Sequence, residues 1–382
     1  MAGMFRAANG LGESARLCLA ALRDAGYSAA PFDLTDVFSQ AVLPPPDHGP
    51  PPDHGPPPDQ GPALPCGPEG TIIVHLNAPD LPLALSCLGQ GRVGNRRIIG
   101  FWHWELPEVP DGWARFLDQV HEIWVPSRFV SDAVRRLAEV PIKVVPHPVS
   151  PPMPSSRTRQ DFGIDGEAFL VLLVFNFDSG FARKNPLASI RAFQEAFGED
   201  PRYQMLVKVR HLEKFRDLAA LLDRAVEGLP NVRVSSDTLC AADLAALIAC
   251  SDVVISLHRS EGFGLVPAEA MLLGKPVIAT AWSANAEFMT ERNAALVGYR
   301  LVPVLDTFGT YTQSDQFWAE PEVEEAVRWL KRLADDPQLR SRIGNNAASD
   351  ARRIFSLANY AGAIGRQARI TSKEAQPRYE LP

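Results

Sequence analysis

The stretch from Glu261 to Thr280 reads Glu-Gly-Phe-Gly-Leu-Val-Pro-Ala-Glu-Ala-Met-Leu-Leu-Gly-Lys-Pro-Val-Ile-Ala-Thr, and its two carboxylates stand around a glycine turn. The apolar run 253–257 before it has the length and the β-branched content of a strand. Residues 267–273 have helical spacing, and Gly274 stands where a glycine commonly follows a helix. A second strand is predicted at 276–279. The segment therefore predicts a strand, a loop, a helix and a strand in succession, as in an α/β fold.

The turn inside this unit is suited to a phosphate. Gly262 and Gly264 let the backbone approach a ligand closely, and the helix after them offers unpaired N–H groups and a partial positive charge. Glu261, at the strand end, can accept hydrogen bonds from sugar hydroxyls, and Glu269, in the first turns of the helix, can accept them from a ribose. Each glutamate alone could equally be a solvated acid or a partner of the helix dipole. Together the groups describe a nucleotide-sugar site.

The whole string resembles the C-terminal signature of the retaining, nucleotide-sugar-dependent glycosyltransferases of family 4, in which two glutamates separated by seven residues bracket the donor. The resemblance implies that Glu261 orients the sugar hydroxyls and that Glu269 binds the ribose. It also implies that backbone amides contact the sugar and the phosphate, namely those of Gly262, Phe263, Gly264 and Leu265. Sugar transfer with retention at the anomeric carbon is the reaction of that family.

Predicted strands and helices alternate along both halves of the chain, which favours parallel sheets covered on both faces. The strands are expected at 27–33, 71–76, 97–102, 122–126 and 142–146, and then at 169–175, 203–209, 232–235, 253–257 and 276–279. The helices expected in the first half are 12–25, 79–88, 113–120 and 128–137. Two Rossmann-like domains facing across a cleft form the GT-B fold that the resemblance implies.

We predict four segments from this pattern. They are an N-terminal Rossmann-like domain on the acceptor side at 1–147, a linker at 148–160, a nucleotide-sugar-binding domain at 161–356, and a C-terminal helix and tail at 357–382. By analogy with the family, the last helix crosses back onto the first domain. Residues 44–62 hold an insertion built on three hexapeptides, Pro-Pro-Pro-Asp-His-Gly twice and Pro-Pro-Pro-Asp-Gln-Gly once, which we expect to be a solvated loop without a catalytic role.

Two adjacent cations, Arg183 and Lys184, stand at the first strand-to-helix turn of the second half. Such a pair can neutralise the charge that develops on a departing nucleoside diphosphate, although an exposed basic pair is the plainer interpretation. The resemblance favours the first, because family relatives carry a donor-binding lysine where Lys184 stands. An arginine that many relatives carry several residues earlier is replaced here by Phe177. Whether Arg183, Arg259 or Lys208 substitutes for it stays open.

His103 follows the strand at 97–102 within Trp-His-Trp, where family relatives often place a histidine near the sugar. From the residues alone, a hydrogen-bonded core histidine is the simpler interpretation. The resemblance makes His103 the candidate for a catalytic role, and the segment 124–129, Trp-Val-Pro-Ser-Arg-Phe, adds to the match in the first half.

Gly10 and Gly12 belong to a G-x-G-x-x-A pattern at the head of the first helix, and Asp33 ends the next strand. This spacing is typical of a dinucleotide site and predicts NAD binding as one alternative. The same loop in GT-B enzymes approaches the donor phosphate or the acceptor, which is the role we favour. The strand expected before it, 3–8, is short and poorly apolar, which raises the question of whether it is complete.

Composition excludes several other classes. A net charge of −7 gives no basic excess for nucleic acid. No apolar run has the length of a membrane span or of a signal peptide, so we expect a cytoplasmic protein, with peripheral contact at the inner face of a membrane left open. The five cysteines have no C-x-x-C spacing and are expected to be reduced. No D-x-D pair occurs, so we predict no metal and no cofactor.

The sequence thus predicts a retaining glycosyltransferase that moves a hexose, with mannose as one candidate, from a GDP- or UDP-linked donor to a glycan or a lipid-linked acceptor. Two rivals stay open. A catalytically silent relative would bind a nucleotide-sugar without turnover, and a nicotinamide enzyme would bind NAD at Gly10 and Gly12.

Overall fold

The computed structural model describes residues 1–38, 70–150, 153–306, 311 and 315–365. The proline-rich insertion and the chain beyond residue 365 lie outside the described residues. The chain divides into two compact units, one made of residues 1–148 and 355–382 and the other of residues 149–354.

The first unit is built on one six-stranded sheet in which every pair of neighbours is parallel, in the order β2-β1-β3-β4-β5-β6. Its strands are β1 (Ala2–Gly3), β2 (Phe32–Asp33), β3 (Thr71–His75), β4 (Arg97–Phe101), β5 (Glu122–Val125) and β6 (Ile142–Val144). Its helices are α1 (Gly10–Asp24), α2 (Leu81–Leu88), α3 (Gln90–Val93) and α4 (Arg128–Arg135), with 3-10 turns at Ala78–Asp80 and Asp111–Gln119.

Helix α1 begins where a polar side chain takes up a free backbone donor. Asn9 is the N-cap, and its side chain accepts from the backbone N–H of Gly12 over 2.9 Å. The helix buries Ala15, Cys18 and Leu22 at spacings of three and four residues, which places them on one face toward the sheet. Because α1 starts right after the first strand, its N-terminus lies at the carboxyl edge of the sheet.

Two strands of the first unit are shorter than the sequence predicts. The expected strand 3–8 is reduced to Ala2–Gly3, because the backbone N–H of Phe5 donates to the Asp33 carboxylate over 2.9 Å instead of to a neighbouring strand. The expected strand 27–33 is likewise reduced to Phe32–Asp33. In the first case the Asp33 side chain competes with the regular strand hydrogen bonds, and in the second the backbone N–H of Tyr27 donates to the carbonyl of Leu22 at the end of α1.

The second unit holds a parallel six-stranded sheet in the order β12-β11-β10-β7-β8-β9 and a separate antiparallel ribbon of β13 and β14. The strands are β7 (Phe169–Asn176), β8 (Tyr203–Arg210), β9 (Val232–Ser235), β10 (Val253–Ser256), β11 (Val277–Thr280), β12 (Ala295–Val297), β13 (Tyr299–Pro303) and β14 (Phe317–Pro321). The helices are α5 (Phe181–Lys184), α6 (Pro186–Phe197), α7 (Arg216–Val226), α8 (Ala241–Cys250), α9 (Leu265–Leu272), α10 (Val323–Asp335) and α11 (Pro337–Ile354). Shorter 3-10 turns lie at Gln160–Phe162, Phe177–Ser179, Leu212–Lys214 and Ala284–Glu287.

The central strands of this sheet are apolar on both faces. Strand β7 reads Phe-Leu-Val-Leu-Leu-Val-Phe-Asn, and its middle residues are buried, as expected for a parallel strand covered by helices on both sides. The predicted helix after Gly264 is present as α9, and Gly274 follows it with a φ of +71°, a conformation that glycine adopts without steric cost. The predicted order strand, loop, helix, strand is thus confirmed for 253–280.

The last described helix, α12 (Leu357–Gly365), lies in the first unit. The hydroxyl of Tyr360 donates to the backbone carbonyl of Cys18 on α1 over 3.4 Å, and the Lys143 ammonium donates to the carbonyl of Ile364 over 3.0 Å. Tyr360 is buried by this packing. None of the helices within the described ranges combines the length and the apolarity that a membrane crossing requires.

Two glycines at the start of α1 form a matched pair for a stability test. A Cβ atom added at Gly12 would lie 2.4 Å from the carbonyl oxygen of Ala7 and 2.9 Å from that of Met4, whereas a Cβ at Gly10 would meet nothing within 4 Å. We expect Gly12→Ala to lower the free energy of unfolding by about 1–3 kcal/mol through overpacking. Gly10→Ala should leave it unchanged or raise it by up to about 1 kcal/mol. Urea unfolding of both variants measures this, and equal midpoints would contradict it.

Candidate functional site

The turn between β10 and α9 is held in place by side chains from the following loop. The backbone N–H of Glu261 donates to the hydroxyl of Ser283 over 2.9 Å, and the carbonyl of Glu261 accepts from the N–H of Ala284 over 3.2 Å. Gly264 has a φ of +98° and precedes the first residue of α9, so a glycine is required there to start the helix in this direction. The turn therefore points the Glu261 carboxylate along the carboxyl edge of the sheet.

Two cations from the turn after β7 meet this carboxylate. The Lys184 ammonium lies 2.5 Å from Glu261 Oε1, and the Arg183 guanidinium lies 3.2 Å from the same oxygen. Arg183 also donates to the carbonyl of Ser260 over 2.7 Å and to that of Ser179. Because β7 and β10 are parallel neighbours, their carboxyl ends lie side by side. The structure thus brings two adjacent predicted cations together with a predicted carboxylate that follows Lys184 by 77 residues.

The electrostatics of this cluster keep Glu261 ionised. Its side chain is only about 9% exposed. Burial alone would raise its pKa, but the charges of Lys184 and then Arg183 outweigh burial and lower the pKa to about 2. Two positive charges against one negative charge leave the cluster with a net positive charge. A cluster of this kind attracts a polyanion such as a diphosphate.

The other predicted donor residues lie on the same turn and helix. Phe263 is buried, with its ring 5.6 Å from that of Phe288, while Leu265 and Glu269 are partly exposed on α9. Gly262 is buried within the turn. The structure therefore places this group around the N-terminus of α9, where backbone N–H groups are unpaired within the helix.

The side chain of Arg259 bonds to the backbone and to Glu320 and does not stand at an obvious ligand position. Its Nη1 donates to the carbonyl of Ala182 over 2.7 Å, its backbone N–H donates to the carbonyl of Arg183 over 2.8 Å, and its Nε pairs with Glu320 over 2.7 Å. Its guanidinium also stacks over Trp318. These contacts make Arg259 a support for helix α5, which carries Arg183 and Lys184.

Lys208 is buried within the second sheet. Its ammonium donates to the carbonyl of Val209 over 3.0 Å and to that of Ser235 over 3.4 Å. Burial, with a smaller effect from the charge of Arg210, lowers its pKa to about 8. Phe177, at the position where relatives carry an arginine, packs in the apolar core against Phe181. Of the three candidate substitutes, Arg183 is the one that contacts Glu261 in the structure.

In the first unit, His103 belongs to a cluster that the sequence did not predict. The hydroxyl of Ser14 lies 2.7 Å from His75 Nε2, 3.3 Å from His103 Nε2 and 3.1 Å from both ring nitrogens of His147. Burial lowers the pKa of all three histidines, to about 3 for His103. The cluster is neutral at physiological pH.

The glycine loop of the first unit does not leave Asp33 available for a ribose. Asp33 accepts from the backbone N–H of Phe5 over 2.9 Å, from the hydroxyl of Thr35 over 2.6 Å and from Arg6 Nε over 2.5 Å. An NAD site needs this carboxylate to bind the ribose hydroxyls. Here it orders the loop before α1, and Gly12 sits tightly against that loop while Gly10 is exposed.

Several residues that shape these sites were missed by the sequence reasoning. His258 is fully buried and bonds to Ser256 and to Asn285 Oδ1, which hold the base of the Glu261 turn. His75 and His147 each stand at or just beyond the carboxyl end of a parallel strand. That position was the available signal, because ligands of α/β sheets bind at the carboxyl ends of the strands. Across the residues that the structure describes, no group of three or more histidines, cysteines or acids is arranged to hold a metal ion.

Comparison with known proteins finds one matching family and several solved structures of similar fold. Residues 184–306 match the family described as glycosyl transferases group 1. In fold, 78% of the chain superposes on 72% of the sucrose-phosphate synthase of Thermosynechococcus elongatus, with a TM-score of 0.58 at 17% identity. The same share superposes on 77% of Anabaena HepE, solved with UDP and glucose, with a TM-score of 0.59 at 17% identity. No curated protein sequence matches the chain.

A third solved structure of this fold is the trehalose 6-phosphate synthase of Burkholderia multivorans, with a TM-score of 0.56 at 14% identity over 78% of this chain and 71% of that one. These likenesses establish the class: an α/β protein with the GT-B fold, as predicted. The match to the glycosyl transferases group 1 is confined to residues 184–306, within the second unit, and it agrees with the predicted glycosyltransferase.

The buried ion pair gives a direct stability test. Replacing Glu261 by Gln leaves Arg183 and Lys184 without an anion at a buried position. Since the folded pKa of Glu261 is about 2 against an ordinary value of 4.5, its ionised form contributes about 3 kcal/mol to stability above pH 4.5, and this is lost as the pH falls toward 2. We expect Glu261→Gln to lower the free energy of unfolding at pH 7 by that order.

Glu195→Gln is the matched control, because Glu195 pairs with Arg191 at the surface and such pairs contribute about 0–1 kcal/mol. Urea unfolding at pH 7 compares the two variants. Equal effects of the two substitutions would show that the Glu261 cluster is not a strongly coupled pair.

The histidine cluster predicts a loss of stability in mild acid. The unfolded chain binds protons at these histidines near pH 6.5, whereas the folded chain does not, because burial lowers their pKa. Each such histidine adds a slope of up to about 1.4 kcal/mol per pH unit below pH 6.5. Urea unfolding at pH 7.5, 6.5 and 5 measures it, above the range in which most carboxylates titrate. An unchanged free energy of unfolding across these values would contradict the neutral cluster.

Proposed function

We propose that this protein transfers a hexose from a UDP-linked sugar to a hydroxyl of a glycan or a lipid-linked acceptor, with retention at the anomeric carbon. The observation that carries the proposal is the convergence of Lys184 and Arg183 on Glu261 at the carboxyl edge of the second sheet. The two cations can bind a diphosphate, and the carboxylate can orient sugar hydroxyls. All three groups lie beside the N-terminus of α9.

The reaction follows from these charges. The bond between the anomeric carbon and the diphosphate oxygen breaks, and the acceptor oxygen forms its new bond on the same face of the sugar. The proton of the acceptor hydroxyl passes to the departing phosphate, which avoids the need for a separate base. Lys184 and Arg183 stabilise the negative charge that develops on the diphosphate, and they are held in position before the donor arrives.

Binding of the donor has to disrupt or share an ion pair that is already present in the structure. In the structure Lys184 is paired with Glu261, so a diphosphate must share or take over the ammonium. Arg183 remains bonded to the carbonyls of Ser179 and Ser260, which makes it the fixed cation of the pair. Glu261, once released from Lys184, gains acceptor capacity for the sugar hydroxyls.

The choice of UDP is supported by structures of the same fold. Anabaena HepE was solved with UDP and glucose, and a trehalose-phosphate synthase of Burkholderia vietnamiensis is described as UDP-forming. We therefore favour UDP over GDP and a glucose-type hexose over mannose. The two cations supply the charge that a divalent ion supplies in other transferases, so we expect transfer without an added metal.

Two alternative functions, an NAD enzyme and a silent binding protein, can be compared with the contacts of particular residues. Asp33 is engaged by three donors within the first unit, which disfavours the NAD enzyme. A silent binding protein would keep the donor site but fail to turn the donor over. Glu261, Lys184 and Arg183 form the charged cluster that both the enzyme and the silent protein would have, so turnover of the donor decides between them.

Donor binding and turnover test the proposal together. Thermal unfolding is followed with UDP, GDP, ADP and NAD, since a ligand at a hundred times its dissociation constant adds about 2.7 kcal/mol to stability. UDP-sugar consumption is then measured with and without a chelator. We expect a shift with UDP, turnover that the chelator does not change, and a loss of about 100-fold in kcat/KM in Lys184→Ala.

Lys331→Ala, which removes an exposed lysine of α10 in the same unit, is the matched control and should behave as the wild type. A shift with GDP and turnover of GDP-mannose would overturn the choice of donor. Binding of UDP without turnover of any sugar would identify the silent rival, and a shift with NAD alone would overturn the proposal.

A further inference from the structure

The backbone of Ser283 has a conformation that residues with side chains rarely adopt. Its φ is +72° and its ψ is −157°. This combination of positive φ and extended ψ is populated almost only by glycine, and it strains any residue that has a Cβ atom. Asn185 and His211 also have a positive φ, but their ψ values of 50° and 28° place them in the left-handed helical region, which Asn and His tolerate better. Ser283 is therefore a strained position.

The strain does not serve the 3-10 turn that Ser283 precedes. A serine before a helical turn normally has extended backbone and caps a free N–H group. Ser127 does so before α4, with a φ of −150° and a hydroxyl that accepts from the N–H of Val130 over 3.2 Å. The hydroxyl of Ser283 makes no such bond to the described turn that follows it. Its bonds lead elsewhere.

Ser283 holds the main chain of Glu261. Its hydroxyl accepts from the backbone N–H of Glu261 over 2.9 Å. One residue further along, the N–H of Ala284 donates to the carbonyl of Glu261 over 3.2 Å. Both main-chain groups of Glu261 are thus bonded by two consecutive residues. Because Glu261 is buried, loss of the acceptor would leave its N–H in a position where an unpaired donor is costly.

The hydroxyl of Ser283 is itself fixed by Asn285. It donates its one proton to Asn285 Oδ1 over 3.3 Å, which leaves a lone pair for the N–H of Glu261. The same Oδ1 bonds to Nε2 of His258 over 2.9 Å, and Nδ2 of Asn285 donates to the carbonyl of Thr280 over 2.9 Å. Asn285 is fully buried, so these bonds set its orientation. The support under Glu261 is therefore a continuous hydrogen-bonded group.

The carboxylate of Glu261 extends from this held main chain. It lies 2.5 Å from the Lys184 ammonium and 3.2 Å from the Arg183 guanidinium. Arg183 also donates over 2.7 Å to the carbonyl of Ser260, the residue before Glu261. A shift of the main chain at this point would move both the carboxylate and an acceptor of Arg183. Small displacements of a group that orients a substrate can lower a reaction rate strongly.

We propose that Ser283 is a positioning residue for Glu261: its strained backbone directs its hydroxyl to the main chain from which the Glu261 carboxylate is presented to the sugar. Its effect on transfer rests on the proposed function, whereas the strain and the bond to Glu261 do not. Ser283 acts through Glu261 and takes no part in bond breaking or bond formation. A glycine would adopt this backbone without strain but would lack the hydroxyl.

Two substitutions separate the strain from the hydrogen bond. Ser283→Ala removes the hydroxyl and keeps the strain, whereas Ser283→Gly removes both. We expect the Gly variant to unfold at a temperature about 3–6 °C above that of the Ala variant. Ser341, exposed on helix α11, is the matched control, since Ser341→Gly should unfold below Ser341→Ala in an ordinary helix. A Ser283→Gly protein that unfolds no higher than Ser283→Ala would overturn the proposal.

Amide hydrogen exchange tests the bond to Glu261 without any substrate. In the wild type the N–H of Glu261 is bonded at a buried position. Both variants of Ser283 lack its acceptor, so exchange at Glu261 should become about 2- to 10-fold faster. The N–H of Val130, which Ser127 caps, is the internal control and should exchange at its wild-type rate. Folded variants with an unchanged rate at Glu261 would contradict the positioning role.

Sugar transfer then tests the consequence for the reaction. At a temperature at which all variants are folded, kcat/KM should fall by about 10- to 100-fold in both variants of Ser283. The dissociation constant of UDP, which carries no hexose, should stay near its wild-type value. A purely structural role predicts instead that activity follows stability, with Ser283→Gly more active than Ser283→Ala.

That order of activities, or an unchanged kcat/KM in both variants, would overturn the proposal. If the wild type transfers no sugar, the proposed function fails by that result alone. The exchange rate at Glu261 then still decides whether Ser283 holds its main chain.

Discussion

The parallel direction of the strands is the constraint on which both sites depend. In each sheet all carboxyl ends lie at one edge, so the loops that follow different strands meet there although they are far apart in sequence. Lys184 follows β7 and Glu261 follows β10, yet their charged atoms are 2.5 Å apart. Ser14, His75, His103 and His147 meet at the edge of the other sheet for the same reason.

The polar groups buried at the two sheet edges are stabilised in different ways. Around Glu261 the carboxylate stays charged, because Lys184 and Arg183 compensate the loss of solvation and lower its pKa. Around Ser14 the histidines remain neutral because burial lowers their pKa, and one hydroxyl lies within hydrogen-bond distance of all three rings. The first solution keeps a net positive charge at the sheet edge, whereas the second leaves no charge there.

Much of the fold could be predicted because its signals are local. The apolar run at 253–257, the glycine at 264 and the helix up to Leu272 follow from spacing and from backbone preferences that few residues determine. The shortened first strand could not be predicted, since it depends on Asp33 taking backbone and side-chain donors from the loop before α1. The contacts of Arg259 could not be predicted from the sequence for a similar reason. Its charge was visible in the sequence, but its pairing with Glu320 and with the carbonyl of Ala182 depends on how the ribbon packs on α5.

The sequence by itself determined the class of fold, because the string from Glu261 to Thr280 carries the spacing of a strand-turn-helix unit and lies within the segment that matches the glycosyl transferases group 1. It also determined which residue types stand at the strand ends. Only the tertiary structure decided which of them are partners. Side chains 61 to 133 residues apart around Ser14, and 77 residues apart between Lys184 and Glu261, come within hydrogen-bond distance only when the strands align. Their protonation follows from burial and from neighbouring charges, which no local pattern in the chain encodes.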